Sequence, residues 1–334
     1  MRLLDVDPSD DAQLELVVRL VERARAHDDP QAFRQSIEDQ RNDARYGGDL
    51  NPDRLTVLLD DDEEPVGHFW MHVFERDNLG LVEAGITVDP DRRRQGHGSR
   101  LLAEVERRVL GLGRTTLWMG TADDDGGARA FLTRHGFALA TRDARRHQRL
   151  AEVDASEVDR LEREAAEHGR DYVVERLHPP YDDALLTAMI AVTAAINDAP
   201  MGDLTFEDEV YDLDRMRDIE RAMELRAERF RRVAARHRET GEIAGHTALT
   251  VRPWAPHEAF QYDTSVARQH RGHRLGLALK IEMMRWLAED EPALRVVETW
   301  NNVENLPMIA VNEALGYRLS RTFAMFEKAL GTNG

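Results

Sequence analysis

Apolar positions recur along the chain at two periods, and the alternation between them divides it into elements. Leu14, Leu16, Val17, Leu20 and Val21 repeat at helical spacing behind an Asp/Ser-rich start. Residues 10–26 are therefore expected to form an amphipathic helix after an opening strand at 2–7. A polar, weakly periodic stretch follows as far as residue 53. Residues 55–59 and 66–74 read as strands joined by the turn Asp60-Asp-Asp-Glu-Glu-Pro65. A strand at 81–88, a helix at 99–110, a strand at 115–120, a helix at 128–134 and a strand starting at 137 complete the first half. Residues 151–168 are charged, show no strong apolar face over their whole length, and read as a linker helix. The second half repeats the order. It has a strand at 172–177, a helix at 182–196, a loop at 197–203, and a long Arg- and Glu-rich helical stretch at 214–237. Strands at 243–251 and 259–266, a helix at 277–287, a strand at 295–300, a helical segment after Asn305 and a strand at 319–327 follow. Strand–helix–helix–strands–helix–strand–helix–strand is an α+β order, and it occurs twice. The expected division is a domain at 1–150, a linker helix at 151–170 and a domain at 171–334.

The repeat is sharpest where a strand runs into a basic, glycine-bearing turn and then a helix. The first such stretch is Val88-Asp-Pro-Asp-Arg-Arg93-Arg94-Gln95-Gly96-His97-Gly98-Ser99. The second is Val266-Ala-Arg-Gln-His-Arg271-Gly272-His273-Arg274-Leu275-Gly276. Setting Val88 on Val266 brings Arg93 onto Arg271 and Gly98 onto Gly276. The unpaired N–H groups of a first helical turn and the helix dipole make such a junction an anion site. Further on, Asp125 precedes a helix ending in Gly136-Phe137, and Asn305 precedes one ending in Gly316-Tyr317. The separation from the turn is nearly equal in the two halves.

Two motifs in the same order in each half resemble those of the GCN5-related N-acetyltransferases, the GNAT superfamily, with a tandem layout similar to that of mycothiol synthase. The resemblance implies two tandem GNAT domains, each a mixed, mostly antiparallel twisted sheet flanked by helices. It implies acetyl-coenzyme A as co-substrate, its diphosphate lying over residues Val88, Arg93, Arg94, Gln95, Gly96, His97, Gly98 and Ser99, or Val266, Arg271, Gly272, His273, Arg274, Leu275 and Gly276. Arg274 departs from the motif, standing where its first glycine belongs. A glycine there tolerates positive φ and avoids Cβ contact, whereas an arginine offers a charged fork to phosphate. The resemblance also makes Asn305 a ligand of the pantetheine arm through its amide, which Asp125 lacks. On that ground the second half is the expected catalytic one.

Composition narrows the function classes. The 334 residues are 42% hydrophobic and 32% charged, as in a globular protein, with no apolar run long enough for a bilayer and no signal-peptide core. The absence of cysteine excludes disulfides, thiolate metal sites and a cysteine nucleophile, and fits the cytoplasm. A net charge of −18 argues against general nucleic-acid binding and favours a cationic amine as acceptor. The basic run at 142–149 is expected to be a solvated edge. His97, His270 and His273 have no carboxylate or cysteine at metal spacing, so exposed loop positions and no metal are expected. Two fused copies can pack as a pseudo-dimer, which makes a monomer as natural as a homodimer.

Acetyl transfer to an amine needs a base, a donor to the carbonyl oxygen and a proton for the leaving thiolate. The resemblance puts the donor among backbone N–H groups near 86–88 and 264–266, and the base on the strand before the turn. Glu83 is the candidate in the first half, against a solvent-facing carboxylate. Its gapless counterpart Gln261 cannot serve, and Asp263, on the same strand face by period two, is the candidate in the second. The family's acid is a tyrosine four residues before the Gly-aromatic pair, where this chain has Leu132 and Asn312. Either the thiolate leaves with help from water, or Tyr262, Tyr317 or another residue substitutes, Tyr317 fitting a packed aromatic better. A non-catalytic coenzyme A-binding module is the alternative reading. Asn197, Asp198 and Tyr211, in an acidic loop, are the expected acceptor-side residues.

Overall fold

The computed structural model describes residues 1–331, so the last residues of the expected second domain, 332–334, lie outside the described residues. The chain runs through β1 (Arg2–Asp5), α1 (Asp11–Asp28), α2 (Ile37–Arg45), β2 (Arg54–Leu59), β3 (Pro65–Val73), β4 (Leu81–Val88), α3 (His97–Gly111), β5 (Thr116–Ala122), α4 (Gly126–Arg134) and β6 (Ala138–Arg149). It continues through α5 (Ala155–His168), β7 (Tyr172–Leu177), α6 (Asp183–Ala194), α7 (Leu213–Leu225), β8 (Arg229–His237), β9 (Ile243–Val251), β10 (Glu258–Val266), α8 (Leu275–Asp290), β11 (Val296–Asn302), α9 (Leu306–Ala314) and β12 (Tyr317–Ala329).

Two compact units result, and neither is one unbroken stretch of chain. The first comprises Met1–Thr141, Asp203–Glu207 and the segment from Ala324. Its strands follow the order β1-β2-β3-β4-β5-β12, antiparallel through β4 and parallel between β4 and β5. Phe69, Met71, Val82, Leu101, Val105 and Leu117 fill its core, together with Ala324 and Phe326 from β12. The second unit comprises Arg142–Gly202 and Asp208–Phe323. Its strand order is β6-β11-β10-β9-β8-β7, antiparallel except between β10 and β11. Val233, Leu249, Val251, Leu279, Ile281, Trp286 and Val297 form a core under α5 and α8, and Tyr181, Leu186, Met189, Val192, Met216 and Ala234 one under α6 and α7.

The structure departs from the hydrophobic pattern in four places, three of them with a polar cause. The stretch before residue 53 contains α2, started by a capping box between Ser36 and Asp39. The helix expected at 214–237 ends at Leu225, and Arg229–His237 is a strand. Its arginines keep a helix-like composition while Arg229 and Arg231 pair with Glu291 and Arg236 with Glu175. Helix α5 is not a free linker, because Val158, Leu161 and Ala165 share one face and are buried in the second unit. The basic run 142–149 is an inner strand paired with β11, not a solvated edge. Arg145 and Arg146 are buried there; Glu298 lies 2.9 Å from His147, and Arg145 lies over the rings of Phe323 and Trp300.

Candidate functional site

Each half builds a left-handed turn between the end of a strand and the start of a helix. After β4, Arg94 (φ 63°) and Gly96 (φ 86°) are left-handed and α3 begins at His97. After β10, Gly272 (φ 87°) and Arg274 (φ 55°) are left-handed and α8 begins at Leu275. The two left-handed positions therefore match, with glycine and arginine exchanged between them. A non-glycine residue in this region costs about 1–2 kcal/mol, and each turn carries one. Arg274 keeps the backbone path but extends no fork into the turn, since its guanidinium lies 2.6 Å from Glu164. Helices α1, α2, α4, α5, α6, α7 and α9 each start on an Asp, Ser or Asn whose side chain accepts from the first turn. Only α3 and α8, among the described residues, start without a side-chain cap. Their first N–H groups therefore have no side-chain acceptor, and a Cβ added at Gly96 or Gly272 would meet nothing within 4 Å.

The turn arginines brace this shape. Arg93 Nε donates to the Val88 carbonyl at 3.2 Å, and Arg271 Nε to that of Val266 at 3.0 Å. Their outer nitrogens pair with Asp28 and Asp198 respectively. Asp198 also binds Arg268, and hydrogen bonds from these arginines hold its carboxyl at about 2. It thus belongs to the turn rather than to the expected acceptor loop. Gln95 is exposed, and Ser99 Oγ lies 3.1 Å from His135 Nε2. His97 and His270 are buried rather than exposed, the latter 3.0 Å from the Tyr172 hydroxyl, and His273 is half-buried. Among the described residues no group of His, Asp or Glu is arranged to hold a metal.

On the strand before the second turn, register slips between Gln261 and Thr264 opposite Leu249 and Thr247. One extra residue makes this a β-bulge, so Gln261 and Asp263 no longer share a face. Gln261 Nε2 bonds Thr247 Oγ1 at 2.9 Å and is buried. Asp263 lies opposite Ala248, which is paired in turn with Arg232 of β8. Burial raises the Asp263 carboxyl, offset by Arg232 and reinforced by Glu209. Tyr211 donates to Glu209 at 2.8 Å, and its hydroxyl is pushed up by burial and by the charges of Glu209 and Asp263. Asn197 holds the Glu209 backbone through both amide atoms, at 2.9 and 3.1 Å. Tyr262 is 37% exposed and packs edge-on against Phe260. Asp263, Tyr211 and Glu209 come together here, and Asn197 positions them.

The matching face of the first unit is closed. With the bulge counted, Gly85 rather than Glu83 corresponds to the Tyr262–Asp263 pair, and Glu83 matches Phe260. The Trp70 indole covers Gly85 so closely that a Cβ there would lie 2.2 Å from Nε1. Phe206 packs on Trp118 and Phe74, and Thr205 binds Glu327 at 2.7 Å. Glu83 pairs across strands with His72, which is bonded to Asp53 at 2.8 Å.

Both units also splay open. Parallel pairing ends at Ala84–Met119 and at Gln261–Thr299, although β4 and β10 continue to Val88 and Val266. Asn305 caps α9 through Oδ1, 3.3 Å from Met308 N, and its Nδ2 makes no hydrogen bond to any described residue. In each unit the splayed parallel pair leads to an uncapped, left-handed helix start. The model of the acetyltransferase (GNAT) family matches residues 19–137 and 193–317. The chain belongs to the GNAT family. A tandem GNAT protein from the clavulanic acid biosynthesis pathway, solved without AcCoA, is 22% identical over 100% of this chain and 99% of its own, with a TM-score of 0.81. A GCN5-related N-acetyltransferase from Sphaerobacter thermophilus is 17% identical over 98% and 95%, with a TM-score of 0.73. At these identities the likeness is one of fold. No curated protein matches the chain.

In this tandem GNAT protein the family's acid position in the second unit, Asn312, is fully buried in a polar network. Lys280 Nζ donates to Asn312 Oδ1 at 2.7 Å, and Asn312 Nδ2 donates to Asn301 Oδ1 at 2.7 Å. Asn301 stands beyond the end of β10–β11 pairing, on the splay. Burial lowers Lys280 to about 7, and its ammonium lies 4.8 Å from the Tyr317 ring centre. Tyr317 is a packed aromatic whose hydroxyl is raised by burial. Sequence reasoning missed Arg232, Ala248, Lys280 and Asn301. The signal for Lys280 was a lysine between Leu279 and Ile281, inside the apolar first half of α8.

Proposed function

We propose that the protein is an acetyl-coenzyme A-dependent N-acetyltransferase that passes the acetyl group directly to a small amine-bearing acceptor, with the second unit as the catalytic one. The observation that carries this is the pairing of an uncapped α8 start with a carboxylate, Asp263, that is bonded to no described residue, on the strand that feeds it. The N–H groups of the α8 turn, with Arg271 and Gly276, would hold the diphosphate, and Asn305 Nδ2 the pantetheine arm. Bound there, the coenzyme supplies an acetyl thioester. Asp263, raised by burial, takes a proton from the acceptor ammonium. Backbone N–H groups of β10 past Gln261, where β11 has turned away, serve the carbonyl oxygen. Lys280 is the ionisable group behind Asn312 and Asn301, and at about 7 it holds a proton through part of the neutral range.

A coenzyme-binding module without turnover is favoured for the first unit alone, because Trp70 covers Gly85 where the second unit has Asp263. The test is calorimetric titration of acetyl-coenzyme A into wild type, an Arg93/Gly98 variant and an Arg271/Gly276 variant. Loss of binding only in the second variant supports the assignment, loss only in the first reverses it, and absence of any binding ends the acetyltransferase reading.

A further inference from the structure

The sheet face that carries Asp263 also carries a buried cation with nothing to pair with. Arg232 is 3% exposed and makes no hydrogen bond or ion pair with any described residue. Its guanidinium lies against the rings of Phe230, at 5.0 Å, and Tyr181, at 5.6 Å. Glu220, Asp263 and the Tyr181 hydroxyl act on it only through space, and burial lowers its pKa. A buried charge without a partner is costly, and a fold that retains one commonly does so for a ligand that supplies the partner. The register gives that ligand a place. Arg232, Ala248 and the bulge at Asp263 lie in one row across β8, β9 and β10, on the side covered by α6, where Ser265 reaches the Val192 carbonyl. Ala248 contributes only a methyl group between the two charged side chains. Neighbouring strands are about 4.8 Å apart, so a carboxylate and a guanidinium stand two strand spacings apart along the row, a separation that suits the two charges of a small zwitterion.

We infer that the acceptor is an amino acid-like zwitterion, whose ammonium faces Asp263 and whose carboxylate pairs with Arg232. This rests on the reading of the second unit as an acetyltransferase. A planar guanidinium fork matches a carboxylate, and the acidic partner at the other end suits the amine. Acceptors that lack the carboxylate leave Arg232 buried and unpaired, as it is without ligand.

The experiment measures acetyl transfer by the full chain to paired primary amines that differ only in a carboxylate, such as 4-aminobutyrate and propylamine, lysine and cadaverine, or phenylalanine and phenethylamine. The carboxylate-bearing member of at least one pair should be preferred by about tenfold to a hundredfold in kcat/KM. Arg232→Gln should abolish that preference while still binding acetyl-coenzyme A, which reports on its folding, and Arg232→Lys should keep part of it. Equal or better transfer to the amines without carboxylate overturns the inference and leaves the acetyltransferase reading standing. No transfer to any member, with acetyl-coenzyme A bound, overturns both. A preference that survives Arg232→Gln assigns the carboxylate to another residue and overturns the role of Arg232.

Discussion

The two units share a backbone and differ in what they place at equivalent positions. Both keep the left-handed turn, the uncapped helix start and the arginine that braces the strand end. Both even set one of the chain's two lysines over the aromatic ring after α4 or α9, Lys328 over Phe137 and Lys280 over Tyr317. Beyond the turn they part. Where the second unit has Asp263, Ala248 and Arg232, the first has Gly85, Trp70 and Leu55. Where the second has Lys280 and Asn312 in a hydrogen-bonded network, the first has Leu102 and Leu132 in its apolar core. The backbone path and the uncapped helix start occur twice, because they depend on the turn alone. The buried polar cluster occurs once, because each buried polar group has to be satisfied or used.

Substitutions can break that comparison, and the largest effect is expected at the bulge. Asp263→Asn should lower kcat by about 10²–10⁴, the range for loss of a general base, while Glu83→Gln leaves it within about twofold. Steady-state acetylation of the best acceptor measures both, and a larger loss from Glu83→Gln would move catalysis to the first unit. Next is transplanting the closure. Ala248→Leu should raise the acceptor KM about tenfold by filling the gap over the sheet, at an overpacking cost of about 1–3 kcal/mol, with acetyl-coenzyme A affinity unchanged. An unchanged KM would mean that the acceptor lies elsewhere.

Lys280→Met tests the polar network through pH. Burial holds Lys280 at about 7, below its ordinary 10.5, so the unfolded chain binds that proton more tightly. The resulting penalty is full below about pH 7 and fades as pH rises through the ordinary lysine range. Relative to Lys280→Met, wild type should therefore gain stability between pH 7 and 10, read as a converging or crossing pair of thermal midpoints. A pH-independent difference would mean that Lys280 is not buried in its charged form. The smallest effect is expected at Arg274→Gly, which relieves a left-handed arginine at the loss of a half-exposed ion pair with Glu164. A net gain of about 0.5–1 kcal/mol in chemical denaturation should follow.

Much of this was legible in the sequence. Arg93, Gly98, Arg271 and Gly276 stood at one common offset, and the strand–turn–helix order around them carried the family and the fold. What the sequence concealed was set by single residues acting across strands. A bulge adds one residue to β10 without a glycine or proline to announce it. It moved Glu83 off Gln261 and turned Asp263 to the face of Arg232. Strand β8 was hidden by its arginines, whose partners Glu291 and Glu175 are distant in the chain. The inner strand at Arg145 and Arg146 was hidden in the same way, since Glu298 and the rings of Trp300 and Phe323 make its burial tolerable. Asp198 had the composition of an acceptor loop and the address of a turn brace.

The last strand has a consequence for the order of synthesis. Ala324, Phe326 and Leu330 belong to the core of the first unit, whose other residues precede position 142, apart from a short docked segment. A ribosome has to pass Leu330 before that core can close. Until then the first unit waits with an unpaired sheet edge at β5, a surface on which nascent chains meet chaperones or one another.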